Sequence, residues 1–391
     1  MNLLGRTRTL IAEGEARRAS VLYDYGRALL LTGDLLGARE ALEDARDAAI
    51  SIGDESTEWR SLLSLSSVES LIDPHALTTQ ENRAQANEAI EVFERLGDDR
   101  GLATGWFHLM ETEWMACRWR SALDSIDRAI AHTDWSGQYD PDLIGYRIVT
   151  LLYGPLPVHV CLREYDAIAA EQTVALVEAP LRAARGWCLG MLGEFDAGRD
   201  ELARAVTIVD DVGLPEIVGL VEQFLGELEA CQDDATAAER AFRRAYRISE
   251  QMGDLGHLST SAAKLALALQ RLGRLDEAER HALESRRLAA EDDVASQVGA
   301  RIALAKVRGG LGDLDHAESE AREAIEITER TEWPNGRGDA RMALAETLRM
   351  AGKPEEAAAW AEEAFATYEQ KGNIVSMNRA RALVEGTASR R

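Results

Sequence analysis

His108, Glu111 and Glu113 are the first residues of this chain that invite a chemical reading. An imidazole and a carboxylate three positions apart share one side of a helix, where they could pass a proton or hold a cation. A metal site asks for more: further ligands at helical spacing, or two histidines flanking a glutamate as in HExxH. Neither accompanies this trio, which reads as a polar helix face. Gly309-Gly310-Leu311-Gly312 has the glycine content of a phosphate loop. Such a loop follows a strand, whereas a helical pattern precedes this one. Gly352-Lys353 runs into Pro354 and fails the GxxxxGK[ST] pattern. Cys117, Cys161, Cys188 and Cys231 stand singly, with no CxxC pair, so neither a zinc site nor a disulfide framework is indicated. His281 and His316 read as surface residues. The expectation is a protein that is not an enzyme and uses no cofactor and no metal.

Composition narrows the partners. The 391 residues carry a net charge of −24, so there is no basic footprint for nucleic acid. Arginines outnumber lysines forty to four, which reads as coding bias. A hydrophobic share of 46% with 29% charged residues fits a folded, soluble chain. No run of about 18 apolar residues could span a membrane. The N-terminus lacks the apolar core of a signal peptide, so the expected location is the cytoplasm.

The elements that must position any site come from a repeat. Gly33, Gly193, Gly273, Gly312 and Gly352 fall at separations close to multiples of about 40 residues. Alanines recur after them at two fixed offsets, as at Ala317 and Ala324 behind Gly312. The later offset, taken back from Ala89, Ala129 and Ala245, places turns near Leu77, Cys117 and Asp233. One more turn is needed at Gly154-Pro155-Leu156-Pro157. Glycine tolerates the left-handed conformation that ends a helix. Small residues let two helices cross closely. The pattern predicts about nine helical hairpins stacked in one right-handed α-solenoid, an all-α fold.

Residues 1–14 are expected to cap the array, with a short helix over Leu3–Glu13. Residues 15–372 form the superhelix, irregular over 73–180 and regular over 181–372. Residues 373–391 supply a capping helix and a disordered tail from Thr387. Thr78-Thr79-Gln80-Glu81 looks like a helix start. Pro180 is expected to open the fifth hairpin.

Leu304-Ala305, Gly312, Ala317 and Ala324, and again Leu344-Ala345, Gly352, Ala357 and Ala364, resemble the tetratricopeptide repeat. The period is longer than that family's 34 residues, and Arg301 stands where its tryptophan would be. A second resemblance runs from Leu344-Ala345-Glu346 through Tyr368-Glu369-Gln370-Lys371-Gly372-Asn373 to Ala380-Arg381-Ala382-Leu383. It is to the C-terminal repeats of actinobacterial signalling ATPases: LuxR-type and antibiotic-regulatory transcription factors and adenylate/guanylate cyclase-related proteins. This resemblance implies control of a signalling ATPase or transcription regulator. The start at Met1 fits a free-standing array; a piece of a larger system is the alternative.

The tetratricopeptide resemblance also implies a concave groove lined by set positions of each first helix. Those positions are Phe107, Glu111, Trp114, Trp187 and Glu227, with Tyr23, Arg27, Lys306, Glu346 and Arg349 further along; Arg147 joins them. Residues 106–187 hold ten of the chain's 22 aromatics, Trp135 and Tyr139 included, which fits either aromatic anchors or irregular packing. An exposed Phe107–Trp114 pair beside Glu111 would suit an Arg- or Lys-containing peptide. The function expected is a scaffold that binds a peptide or protein segment in bacterial signalling, with Trp114→Ala weakening binding and leaving the fold intact. The alternative is a small-molecule sensor, with its pocket at the break near Pro155.

Overall fold

The computed structural model describes residues 17–133, 141–171 and 174–388, and among them every regular element is a helix. The helices pair as α1 Arg18–Leu31 with α2 Leu35–Ile52, α3 Glu55–Ile72 with α4 Thr79–Leu96, and α5 Asp99–Met115 with α6 Trp119–Ala131. Then come α7 Pro141–Tyr153 with α8 Val158–Glu171, α9 Ala175–Leu192 with α10 Phe195–Val212, and α11 Pro215–Cys231 with α12 Ala235–Met252. The series closes with α13 Leu255–Arg271 and α14 Leu275–Leu288, α15 Val294–Leu311 and α16 Leu314–Thr328, α17 Pro334–Met350 and α18 Pro354–Lys371, and a last helix α19 Ile374–Ala388. Among the described residues, nine hairpins and a terminal helix make one all-α solenoid, the architecture that the repeat predicts.

The turns lie where the spacing puts them. Gly312 ends α15 with φ 86°, a left-handed conformation. At two of the three turns placed by alanine offset alone, Cys117 (φ 50°) and Asp233 (φ 62°) take that conformation without a glycine. A second glycine set, Gly53, Gly97, Gly213, Gly253 and Gly372, ends second helices at the bends between hairpins. Turns and bends alternate along the chain, so the 40-residue period is two near-equal helices. Asp34, Asp54, Asp234, Asp254 and Asp293 each accept a hydrogen bond from a backbone N–H in the first helical turn that follows. Thr78 and Glu81 form a reciprocal capping box at the start of α4, as expected.

Packing follows from the small residues. Ala38, Ala122, Ala278, Ala317 and Ala357, five places after the turn, are fully buried. So are Ala45, Ala129, Ala205, Ala324 and Ala364 at the later offset. The fourth hairpin lacks these marks and solves the problem differently. Tyr165 on α8 is fully buried and donates its hydroxyl to the Ile148 carbonyl on α7 (2.9 Å), so a large ring fills what alanine closes elsewhere.

Three expectations are corrected. Pro180 is buried inside α9, which starts at Ala175. The buried run Val177, Ala179, Leu181 extends the helix upstream, and the proline ring faces Gly145, where a Cβ would lie 3.8 Å from it. The tail is helical through Ala388, since α19 continues past Thr387. His281 is not a surface residue: its ring packs edge-on against Tyr246 at 5.0 Å. The expected cap helix Leu3–Glu13, and Trp135 and Tyr139, lie outside the described residues.

The coil closes on itself. A Cβ at Gly33, in the first turn, would lie 3.1 Å from Met252 and 3.5 Å from Pro215, both of the sixth hairpin. In the second hairpin, Thr79 Oγ1 donates to Asp292 (2.9 Å), and His75 Nε2 lies 3.3 Å from the Arg287 carbonyl. In the third, Glu332 N–H donates to the Cys117 carbonyl (3.1 Å) and Arg120 pairs with Glu332 (2.8 Å). In the fourth, Lys371 Nζ donates to the carbonyls of Gly154 and Leu156, both at 2.8 Å. Each of these four hairpin turns thus meets the bend that follows the hairpin five places on. Successive superhelical turns stack edge to edge.

Candidate functional site

Stacking the hairpins sets the first helices side by side, and side chains reach between them across the inner side of the coil. Phe107, Glu111 and Trp114 from α5 meet Tyr146 from α7 and Ser67 from α3. The Phe107 and Tyr146 rings are edge-on at 5.0 Å, and Trp114 and Tyr146 at 5.9 Å. Ser67 Oγ donates to Glu111 (2.6 Å), while Tyr146 donates to Glu216 of α11 (3.0 Å). Burial, with Glu216 and Glu111 alongside, holds the Tyr146 phenol well above its usual range. This section of the inner face is aromatic with an acidic floor.

Tyr153 continues the line. It stacks on Trp119 (5.5 Å), lies 6.2 Å from Trp114 and 6.3 Å from Phe224 of α11, and comes within electrostatic reach of Glu227 and Lys264. Glu227 pairs with Lys264 of α13. Further on, Lys306 of α15 pairs with Glu346 of α17 (2.9 Å). Asp339, which accepts from Tyr368 (2.6 Å), is pushed up by burial and by Glu227. Among the described residues, cavities open on the coil. One of about 550 Å³ is lined by Arg271, Lys306, Glu346, Arg349 and Arg379 among others; one of about 450 Å³ lies between Trp106, Glu113 and Arg128.

The sequence-predicted residues separate under this geometry. Phe107, Glu111 and Trp114 come together, all half-buried rather than open. Glu227 lies farther along the same side. Trp187 is 8% exposed and belongs to the core of the fourth to sixth hairpins. Arg147 turns toward the second-helix layer, pairing with Asp127 of α6 (2.7 Å) and Glu164 of α8 (3.6 Å). His108, read as part of a polar face, is 3% exposed, with Nδ1 3.2 Å from Ser67 Oγ. The break near Pro155 is filled by Tyr165, Cys161 and the Lys371 ammonium. Ser67, Tyr146 and Glu216 were missed: the turns of their hairpins carry no left-handed glycine to fix the register. Only the 3.6-residue apolar period of α3, α7 and α11 could have found them.

Comparisons with known proteins meet this geometry at the level of the repeat. One tetratricopeptide repeat model matches residues 338–371, and another matches residues 260–284 and 298–323. The chain carries tetratricopeptide repeats in those segments. No curated protein matches it. Among solved structures it is similar to the APC/C hetero-tetramer Cut9-Hcn1 (14% identity, all of this chain and 78% of that one, TM-score 0.56). It is also similar to a Rap protein complexed with competence and sporulation factor (11%, 96% and 100%, TM-score 0.50). A third is NprR with its cognate peptide NprX (10%, 76% and 89%, TM-score 0.51). At these identities the likeness is one of fold: helical solenoids of the tetratricopeptide type.

Proposed function

We propose that this chain is a non-catalytic scaffold that binds a peptide or protein segment along its inner face, in bacterial signalling or transcriptional control. The observation that carries the reading is the line of half-buried aromatic and charged side chains, from Ser67 and Glu111 through Tyr146 and Tyr153 to Glu346. Separate hairpins contribute them, and each presents both apolar surface and an orienting polar group. A solvated helix face would not concentrate aromatics there. The Rap and NprR structures hold a factor and a cognate peptide, which makes a peptide a reasonable occupant here too. The finer proposal is that occupancy controls a signalling ATPase or transcription regulator in the cytoplasm.

Affinity capture from the native cell with mass spectrometry tests the reading. A Phe107→Ala/Glu111→Lys double variant with unchanged helicity should lose the partner captured by the wild type; retention by both would contradict it. Trp114→Ala is the weaker probe, because that ring packs against Trp119, Tyr146 and Tyr153 and its loss also costs stability.

A further inference from the structure

We infer that the two open edges of the coil are self-association surfaces, and that a second copy of this chain docks head-to-tail, its bends on the turns of the first. This goes beyond the groove reading and does not depend on it, since edge stacking leaves the inner face open.

The superhelix already contains one such interface. The turns of hairpins one to four meet the bends that follow hairpins six to nine, and α19 extends the contact to turns five and six. There Val375 lies 3.7 Å from where a Cβ at Gly193 would be, and Arg379 donates to the Ala230 and Cys231 carbonyls (2.9 and 2.8 Å). With nine hairpins and a step of five, this pairing stops at both ends. Among the described residues, the bends after hairpins one to four have no earlier coil to meet, and turns seven to nine no later one. A Cβ at Gly273, Gly312 or Gly352 would meet nothing within 4 Å, in contrast to Gly33, which faces Met252 and Pro215.

The side chains at those ends are apolar where stacking would cover them. Ile52 closes α2, Leu96 closes α4, Leu311 closes α15 and Met350 closes α17; they are 38, 41, 44 and 47% exposed. Met252 closes α12 in the same way, but lies against Gly33 and is half-buried. Leu192, which closes α9 at the covered fifth turn, packs on the core. One kind of residue is thus covered where edges meet and bare where they do not. Among the described residues nine large apolar side chains are exposed, and six stand on the open edges: these four, Ile50 and Val174. Apolar residues scattered singly are ordinary on a surface. A concentration at both unmatched ends of one interface is not.

The intramolecular contact joins unlike surfaces, turn to bend. A second copy that continues the coil therefore docks heterologously, leaves one open edge of each kind, and lets further copies add.

Sedimentation velocity of the full chain across a concentration series tests this. The wild type should gain mass beyond the dimer as concentration rises; a monomer throughout would overturn the proposal. Leu311→Asn/Met350→Asn on the turn edge and Ile52→Asn/Leu96→Asn on the bend edge should each weaken association about tenfold or more, with helicity and melting temperature unchanged. Mixed in equal amounts, the two variants should form a one-to-one dimer that grows no further, because each retains the edge the other lacks. Failure to form that mixed dimer would overturn the head-to-tail geometry. Leu283→Asn, at an exposed position in the middle of α14, should leave association as it is; an equal loss there would overturn the edges as the interface.

Discussion

The hairpins from α9 to α18 and those from α3 to α8 reach the same architecture by different means. In the first group alanine stands at nearly every helix crossing, and glycine or a single left-handed residue makes the turn. In the second group alanine still closes the third hairpin, at Ala122 and Ala129, but large rings do the spacing beyond it: Tyr165 inside the fourth hairpin, Trp119 and Tyr153 stacked where the third meets the fourth. Small residues buy close approach of backbones and a constant geometry. Large ones fill wider gaps and leave edges and hydroxyls at the inner face. A repeat array thus becomes a specific binding surface where its regularity lapses.

The largest expected effect breaks the irregular side of that comparison. Tyr165→Ala empties a fully buried ring site and strands the Ile148 carbonyl, for a loss of about 3–5 kcal/mol in urea unfolding. A loss below about 1 kcal/mol would mean the ring is not the spacer. Next comes the stacking of the two superhelical turns. Lys371 is fully buried, and its desolvation holds the ammonium below the usual lysine range; two carbonyls depend on it. Lys371→Met should cost about 2–3 kcal/mol and raise amide exchange at both Gly154–Pro157 and the start of α19. Unchanged exchange at the first segment would separate the turns energetically.

The regular side is tested by Ala317→Leu, at a fully buried crossing of α15 and α16. Overpacking should cost about 1–3 kcal/mol by the same unfolding measurement. A neutral result would show slack between the helices. The smallest effect is electrostatic. The Asp254 carboxylate, 2.6 Å from His257 Nδ1, raises that imidazole to about 9 against burial. Glu216 and Asp293 act in the same direction. A raised folded-state value contributes stability that is complete below pH about 6.5 and disappears as pH rises through about 9. His257→Gln should therefore melt lower than wild type at acid pH and match it at alkaline pH. The half-exposed ring keeps the difference small.

How legible each region was follows from the same contrast. A turn glycine with alanines five and twelve places on defines register to the residue, so the later hairpins and the turns at Cys117 and Asp233 were readable. The bends between hairpins carry their own glycines but no fixed partner, and went unread. Of the candidate groove residues, Phe107, Glu111 and Trp114 share one face of α5 and converge on Tyr146 and Ser67. Arg147 and Trp187 were placed by linear pattern alone. Whether a residue faces the inner side or the second helix depends on helix rotation, which a few degrees of irregular packing change. The edge-to-edge closure that joins Lys371 to Gly154 spans more than five hairpins, and no local spacing encodes it.

Amide hydrogen exchange of the full chain, with and without a saturating amount of the partner segment recovered by affinity capture, tests groove binding most directly. The account predicts added protection on α5, α7, α11, α13 and α17, with little change on α2, α6, α12 and α16. Protection confined to the second-helix layer would contradict it.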